Sequence, residues 1–122
     1  MSVPSLAPGL KAERCAVVSE AMTTMHAGGR GVLTTPSMIL EMELAAQEAV
    51  QPFLPADHTT VGYEIHVRHL RSTPVGESFT VAAELFEVDG HKLRFRVEAR
   101  NARELIGEGT LRRTIVRRGH LG

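Results

Sequence analysis

A chain of 122 residues carries 14 Lys plus Arg against 14 Asp plus Glu, so its formal net charge is zero, and 43% of it is hydrophobic. That length and mixture describe one globular domain over residues 1–122 with a single core, too apolar for disorder and too mixed for a fibre. The charge balance argues against a bulk electrostatic grip on DNA, RNA or an anionic membrane, and the single cysteine, Cys15, excludes an internal disulfide and fits a reducing compartment, the cytoplasm.

In chain order, residues 1–10, MSVPSLAPGL, read as a loose N-terminal tail without the charged and apolar segments of a signal peptide. Residues 12–18, AERCAVV, suit a first strand. From Glu20 to Leu33 the glycines Gly28, Gly29 and Gly31 mark a flexible loop, either a plain surface connection or a lid. Thr34-Thr35-Pro36 then starts a helix, with Thr35 as the N-cap and Pro36 at the first helical position, and Pro52 ends it after about Gln51. Met38, Met42, Ala45 and Ala49 form its inner stripe, Ile39, Ala46 and Val50 widen it, and Leu40 with Leu44 lies on the far side. Such a helix is expected to be enclosed by other structure. Glu41, Glu43 and Glu48 interrupt it too often for a membrane span.

The rest reads as strands. Residues 59–70 alternate, with Val61, Tyr63, Ile65, Val67 and His69 on the core face and Glu64, His66 and Arg68 on the other. After the turn Pro74-Val75-Gly76 a third strand covers 77–88, Asp89-Gly90 signals a hairpin, and a fourth strand returns over 91–101. Pairing Leu85 with Phe95, Ala83 with Val97 and Val81 with Ala99 requires an odd loop or a bulge near Phe86. A fifth strand over 104–116 puts Leu105, Leu111 and Ile115 on one face with Arg113, where Gly107 and Gly109 leave space. One helix followed by a four-strand meander predicts an α+β fold, a five-stranded antiparallel sheet wrapped around one long helix. The helix side that the sheet leaves open, and the sheet's edges, predict a homodimer or a tetramer.

Three polar residues interrupt otherwise apolar surroundings. Glu43 sits on the helix between the flank of Ile39 and Val50 and the polar Gln47; a carboxylate there is either the partner of a nearby arginine or a poised base or nucleophile. His69 is an inward imidazole near a strand end, either a hydrogen-bonded core histidine or an acid/base group. Thr35 either simply caps the helix or presents its hydroxyl where free N–H groups and the helix dipole favour a developing oxyanion. The three are expected to converge near the helix start. His66 and His69 point to opposite faces of one strand and cannot chelate together, so no metal and no cofactor are expected.

The runs TTPSMILEMELAAQEAVQPFLP, TTVGYEIHVRHLRSTPVGES, EVDGHKLRFRVEA and IGEGTLRR resemble the hotdog-fold thioesterases, and within them the fluoroacetyl-CoA thioesterase-like branch. The resemblance covers about residues 32–116. It implies that Thr35, Glu43 and His69 correspond to that branch's catalytic threonine, glutamate and histidine, Gly62 to a backbone position near the bound acyl-CoA, and Arg113 to an arginine that helps bind substrate. N–H groups at the helix start, near Ser37, would hold the thioester oxygen. In that branch a phenylalanine-bearing lid precedes the helix; HAGGRGVL stands there in this chain without an aromatic residue, so the resemblance does not extend to fluoroacetyl selectivity.

The implied activity is hydrolysis of a small acyl-CoA thioester to a carboxylic acid and free CoA; the alternative on the same fold is a non-catalytic module that binds an acyl-CoA or a small acid. Residues 1–90 hold 5 basic and 11 acidic side chains, and residues 91–122 hold 9 basic and 3 acidic. That split points to a cationic region for a small phosphorylated ligand such as CoA rather than for a nucleic acid, because aromatic residues are only 4% of the chain.

Overall fold

The computed structural model describes residues 6–24 and 31–119. Among the described residues the strands are β1 (Lys11–Val17), β2 (Thr23–Thr24), β3 (Val32–Leu33), β4 (His58–His69), β5 (Ser78–Asp89), β6 (Lys92–Asn101) and β7 (Leu105–Arg117), and the one α-helix is α1 (Thr35–Val50). Five of the strands form an antiparallel sheet in the order β1-β5-β6-β7-β4, while β2 and β3 pair separately. Of the stretch from Glu20 to Leu33 read as a loop or lid, Glu20–Met22 form a 3-10 turn and β2 and β3 occupy its ends, while residues 25–30, with Gly28 and Gly29, lie outside the described residues.

α1 packs on one face of the sheet through Met38, Met42, Ala45, Ala46, Ala49 and Val50, all buried. Small residues toward the C-terminal half let the helix approach closely, and Phe79, Leu85, Phe95 and Leu111 fill the sheet side of the same core. Arg14 of β1 reaches over the helix to Glu41 and Glu48. Pro52 lacks an N–H to continue the ladder, and the helix gives way to a 3-10 turn over Gln51–Phe53.

Several expectations change. Residues 6–10 are not loose: Leu6 is buried, Gly9 N–H donates to Leu85 O at 2.8 Å, and Leu85 N–H donates to Leu10 O at 2.8 Å. The strands after the helix are not a four-strand meander, because β4 pairs with β7 instead of β5. Eight residues separate β4 from β5, too many for a tight hairpin, and they fold against β3 through Leu33 N–H to Thr73 O. The helix cap also sits one residue earlier than read. Thr34 is the N-cap, its Oγ1 accepts from Ser37 N–H at 3.3 Å, and Thr35 is the first helical residue.

The phase of β4 is the largest revision. A bulge interrupts the β4/β7 register between Gly62 and Glu64, so Thr60 and Gly62 face the helix side ahead of it and Ile65, Val67 and His69 face that side after it. Tyr63, expected inward, is 46% exposed. By contrast Leu85/Phe95, Ala83/Val97 and Val81/Ala99 are partners as read, with the register shift at Phe86. Gly90, at φ +62, makes the two-residue turn into β6 possible.

The space read beside Gly107 and Gly109 is taken. A Cβ on Gly107 would lie 2.6 Å from Met38 Sδ, and one on Gly109 would run into the His66 and Val67 backbone of β4. A thioether end moves more readily than a paired strand. Gly109→Ala should therefore cost about 1–3 kcal/mol in urea denaturation and Gly107→Ala less. A larger loss at Gly107 would contradict this packing.

Candidate active site

The shifted cap has a chemical consequence. With Thr34 supplying the capping oxygen, the Thr35 hydroxyl is released from that role, and its Oγ1 lies 2.9 Å from Nδ1 of His69, the last residue of β4. Ser37 is occupied at both ends, its N–H on Thr34 Oγ1 and its Oγ accepting from the Thr34 hydroxyl at 2.9 Å. The N–H of Thr35 has no intrahelical partner by its position.

His69 is half-buried, and burial lowers its pKa below the usual imidazole value, opposed by the backbone of Arg71. Its Nε2 is enclosed and makes no well-formed hydrogen bond. A neutral ring with its proton on Nε2 would leave the Nδ1 lone pair, 2.9 Å from Thr35 Oγ1, free to accept from that hydroxyl. A neutral imidazole in this position is fitted to accept a proton near neutral pH.

Glu43 belongs to a second cluster. Its Oε2 accepts from Nη1 of Arg113 at 3.2 Å, and its side chain is 30% exposed. Arg113, on β7, is 7% exposed and also donates to Thr60 Oγ1 at 2.8 Å, to the Thr60 carbonyl at 3.0 Å and to Gln47 Oε1 at 3.3 Å. Desolvation lowers the guanidinium's pKa while the Glu43 charge raises it. Gly62 makes room for this pair: a Cβ there would stand 3.2 Å from Glu43 Oε2 and 3.3 Å from Arg113 Nη1.

Within one chain Thr35 and His69 meet, but Glu43 does not join them. Eight helical residues separate Thr35 from Glu43, about 12 Å along the axis. Glu43, Leu40, Leu44, Arg113 and Arg118 line an open cleft of about 460 Å³ on the helix side left uncovered by the sheet. A larger hollow of about 1010 Å³ lies across the opposite face of the sheet, where His66 faces it, and contains none of the three residues. Among the described residues no group of His, Cys, Asp and Glu is placed to hold a metal ion, and no helix is long and apolar enough to cross a membrane.

Thr60 and Gln47 were missed by the sequence reading. Gln47 stands one turn after Glu43 on the same helix face, which was a usable signal. Thr60 was hidden by the bulge, since uninterrupted alternation points it outward. The basic excess of the C-terminal strands also has a structural explanation, because acids from the first 90 residues meet it: Asp57–Arg117 at 3.4 Å, Glu64–Arg112 at 3.1 Å, Glu77–Arg103 at 2.8 Å and Glu87–Arg94 at 3.1 Å, besides Glu43–Arg113.

A single long helix held in a five-stranded antiparallel sheet is the hotdog fold, and a hot-dog-like protein from Thermanaerovibrio acidaminovorans superposes with a TM-score of 0.82 at 19% identity, over 91% of this chain and 84% of that one. The chain belongs to the fluoroacetyl-CoA-specific thioesterase family, whose model matches residues 17–119. The fluoroacetyl-CoA thioesterase of Streptantibioticus cattleyicolor is 38% identical over 85 residues, 70% of this chain and 61% of that protein. A solved structure of the fluoroacetyl-CoA thioesterase FlK superposes with a TM-score of 0.85 at 31% identity, covering 93% of this chain and 90% of that one.

The enclosed imidazole has a measurable effect on stability. As pH falls through the ordinary histidine value of about 6.5, the unfolded chain takes up a proton that folded His69 resists, so stability is lost until the folded ring is itself protonated. His69→Asn should flatten the decline in stability below about pH 6.5. Equal slopes for wild type and variant in denaturation at neutral and acid pH would show that the ring is not held neutral.

Proposed function

We propose that this protein is an acyl-CoA thioesterase, hydrolysing a small acyl-CoA thioester to a carboxylic acid and free CoA through Thr35, His69 and Glu43. The observation that carries the reading is the 2.9 Å contact between the Thr35 hydroxyl and Nδ1 of a partly desolvated His69, at a helix start in a thioesterase family. In this reading Thr35 either orients the attacking water or itself attacks the thioester carbon, the acyl-Thr35 ester then being cleaved by water, and His69 takes the nucleophile's proton and returns it to the departing thiolate or, in the second step, to the Thr35 oxygen. The Thr35 N–H and the helix dipole stabilise the oxyanion, a role for which Ser37 N–H would have to leave its cap. Glu43 polarises the nucleophile, Gly62 lets the substrate approach the Glu43–Arg113 pair, and Arg113 serves the substrate chiefly by holding that carboxylate.

We also infer a homodimer, because the reaction asks for groups that one chain keeps apart. β4 is an edge strand, and Tyr63 and Ile65 on it, with Leu40 and Leu44 on α1, are exposed apolar side chains. If β4 pairs with its own copy about a two-fold axis between Ile65 and His66, Gly62 of one chain is level with His69 of the other. Glu43 would then approach Thr35 and His69 of the second copy. The exposed lone thiol of Cys15 fits a cytoplasmic protein.

Release of free thiol from a panel of short-chain and aryl acyl-CoAs tests the activity. Thr35→Ala, Glu43→Ala and His69→Ala should each lower kcat by about 100-fold or more. Wild type at the rate of all three variants, with calorimetric uptake of the acyl-CoA but no turnover, would instead identify a binding module.

The composite site has its own test. Unfolding and refolding Thr35→Ala together with Glu43→Ala should restore activity, because each mixed dimer holds one site with both groups intact. Absence of rescue in mixed dimers isolated by affinity tags would refute sharing between chains.

A further inference from the structure

Beyond the three residues just named, we infer that Gln47 and Thr60 are positioning residues for Glu43, acting through Arg113; this rests on the reading of Glu43 as part of the reacting site. Arg113 is a donor only, with five N–H groups and no acceptor. Four of those donors are committed in the chain: Nε to Thr60 Oγ1, Nη2 to the Thr60 carbonyl and to Gln47 Oε1, and Nη1 to Glu43 Oε2. The guanidinium plane is therefore set by Thr60 and Gln47 on one side, and Glu43 receives what that plane presents on the other.

The polarity of the whole chain of bonds follows from this cation. Gln47 must turn its carbonyl oxygen to Arg113, where it also accepts from the Thr60 hydroxyl. Its amide nitrogen then faces the other way and donates to Thr59 Oγ1 at 2.9 Å and to Gln51 Oε1. Thr59 donates in turn to Gln51 Oε1 at 2.9 Å, and Gln51 Nε2 ends the series on the His58 carbonyl at 2.9 Å. No member has a free choice of direction: the series starts at a group that can only donate and ends at one that can only accept. Glu43, Gln47 and Gln51 are spaced by four residues, so α1 and its C-cap residue offer the carboxylate and the two amides as one row along β4.

Thr60 is 4% exposed and holds the guanidinium with both its hydroxyl and its carbonyl, which makes it the stiffest contact of the set. Removing only the hydroxyl keeps the shape and the carbonyl contact while freeing the guanidinium to tilt. A displacement of the order of 1 Å at a reacting group lowers rates by roughly 100-fold.

The experiment uses the intact protein with the acyl-CoA substrate that turns over fastest. Thr60→Val should lower kcat by roughly ten- to hundred-fold with little change in KM, and Thr60→Ser, which keeps the hydroxyl, should retain most of the wild-type kcat. Gln47→Glu offers Arg113 a second carboxylate and should also lower kcat. Independently of activity, the 15N–1H signal of Arg113 Nε–H, slow to exchange in the wild type, should exchange rapidly in Thr60→Val and remain protected in Thr60→Ser. Thr60→Val with wild-type kcat, or with lowered kcat but an unchanged Nε–H signal, would overturn the inference. Glu43→Gln separates the two levels of the argument. Full activity in Glu43→Gln would sink the reading of Glu43 itself, whereas an inactive Glu43→Gln beside a fully active Thr60→Val would sink only the positioning role.

Discussion

A buried guanidinium organises the part of the fold on which the site depends. Arg113 has almost no contact with solvent, and a cation so placed must be met by hydrogen bonds and an opposite charge or it unfolds its surroundings. Its partners come from α1 and β4, so one side chain of β7 joins three elements. Removing a partner from such a pair costs about 3–5 kcal/mol, far more than the exposed pairs along the sheet contribute. The backbone of β4 is adapted to it. Without the bulge before Glu64 the inward position would hold Tyr63, and its ring would compete with the guanidinium and the Glu43 carboxylate for one volume; the bulge brings Gly62 there instead.

At the other end of the helix the constraint is different. A helix start needs an oxygen for its free N–H groups, and two adjacent threonines allow the cap and the chemistry to be assigned to different residues. Thr34 caps, so Thr35 keeps its hydroxyl for His69. The imidazole is enclosed because β4 ends where α1 begins, beside Met38 packed over Gly107.

Much of this was readable from the residues. The helix stripe, the β5–β6 register and the bulge at Phe86 follow from apolar periodicity, because a register slip there would turn Leu85 and Phe95 out of the core. The β4 phase was not readable in the same way. TTVGYEIHV alternates cleanly in the frame that turns Val61 and Tyr63 inward, and nothing within the run marks the bulge that instead brings Thr60 and Gly62 to the buried arginine of the neighbouring strand. Likewise Thr34 and Thr35 are equivalent as capping residues in sequence. The histidine 34 residues later distinguishes them, and that is a tertiary contact. The three proposed reacting residues were each identifiable as anomalies, but the separation of Glu43 from Thr35 and His69, about 12 Å along the helix axis, required the length of the helix between them.

The charge asymmetry shows how topology reinterprets composition. Acids dominate the first 90 residues and bases the last 32, yet β4 lies beside β7 and β5 beside β6, so early acids face late arginines across the ladder. Cross-strand pairing of this kind spreads the charge instead of concentrating it. An anionic ligand entering the cleft therefore meets a surface in which most arginines are already engaged. Arg113 is committed to Glu43, Gln47 and Thr60, and Arg118 is the other arginine on the cleft wall. The cleft wall thus joins one further arginine to the exposed apolar side chains of Leu40 and Leu44, a lining suited to a small ligand.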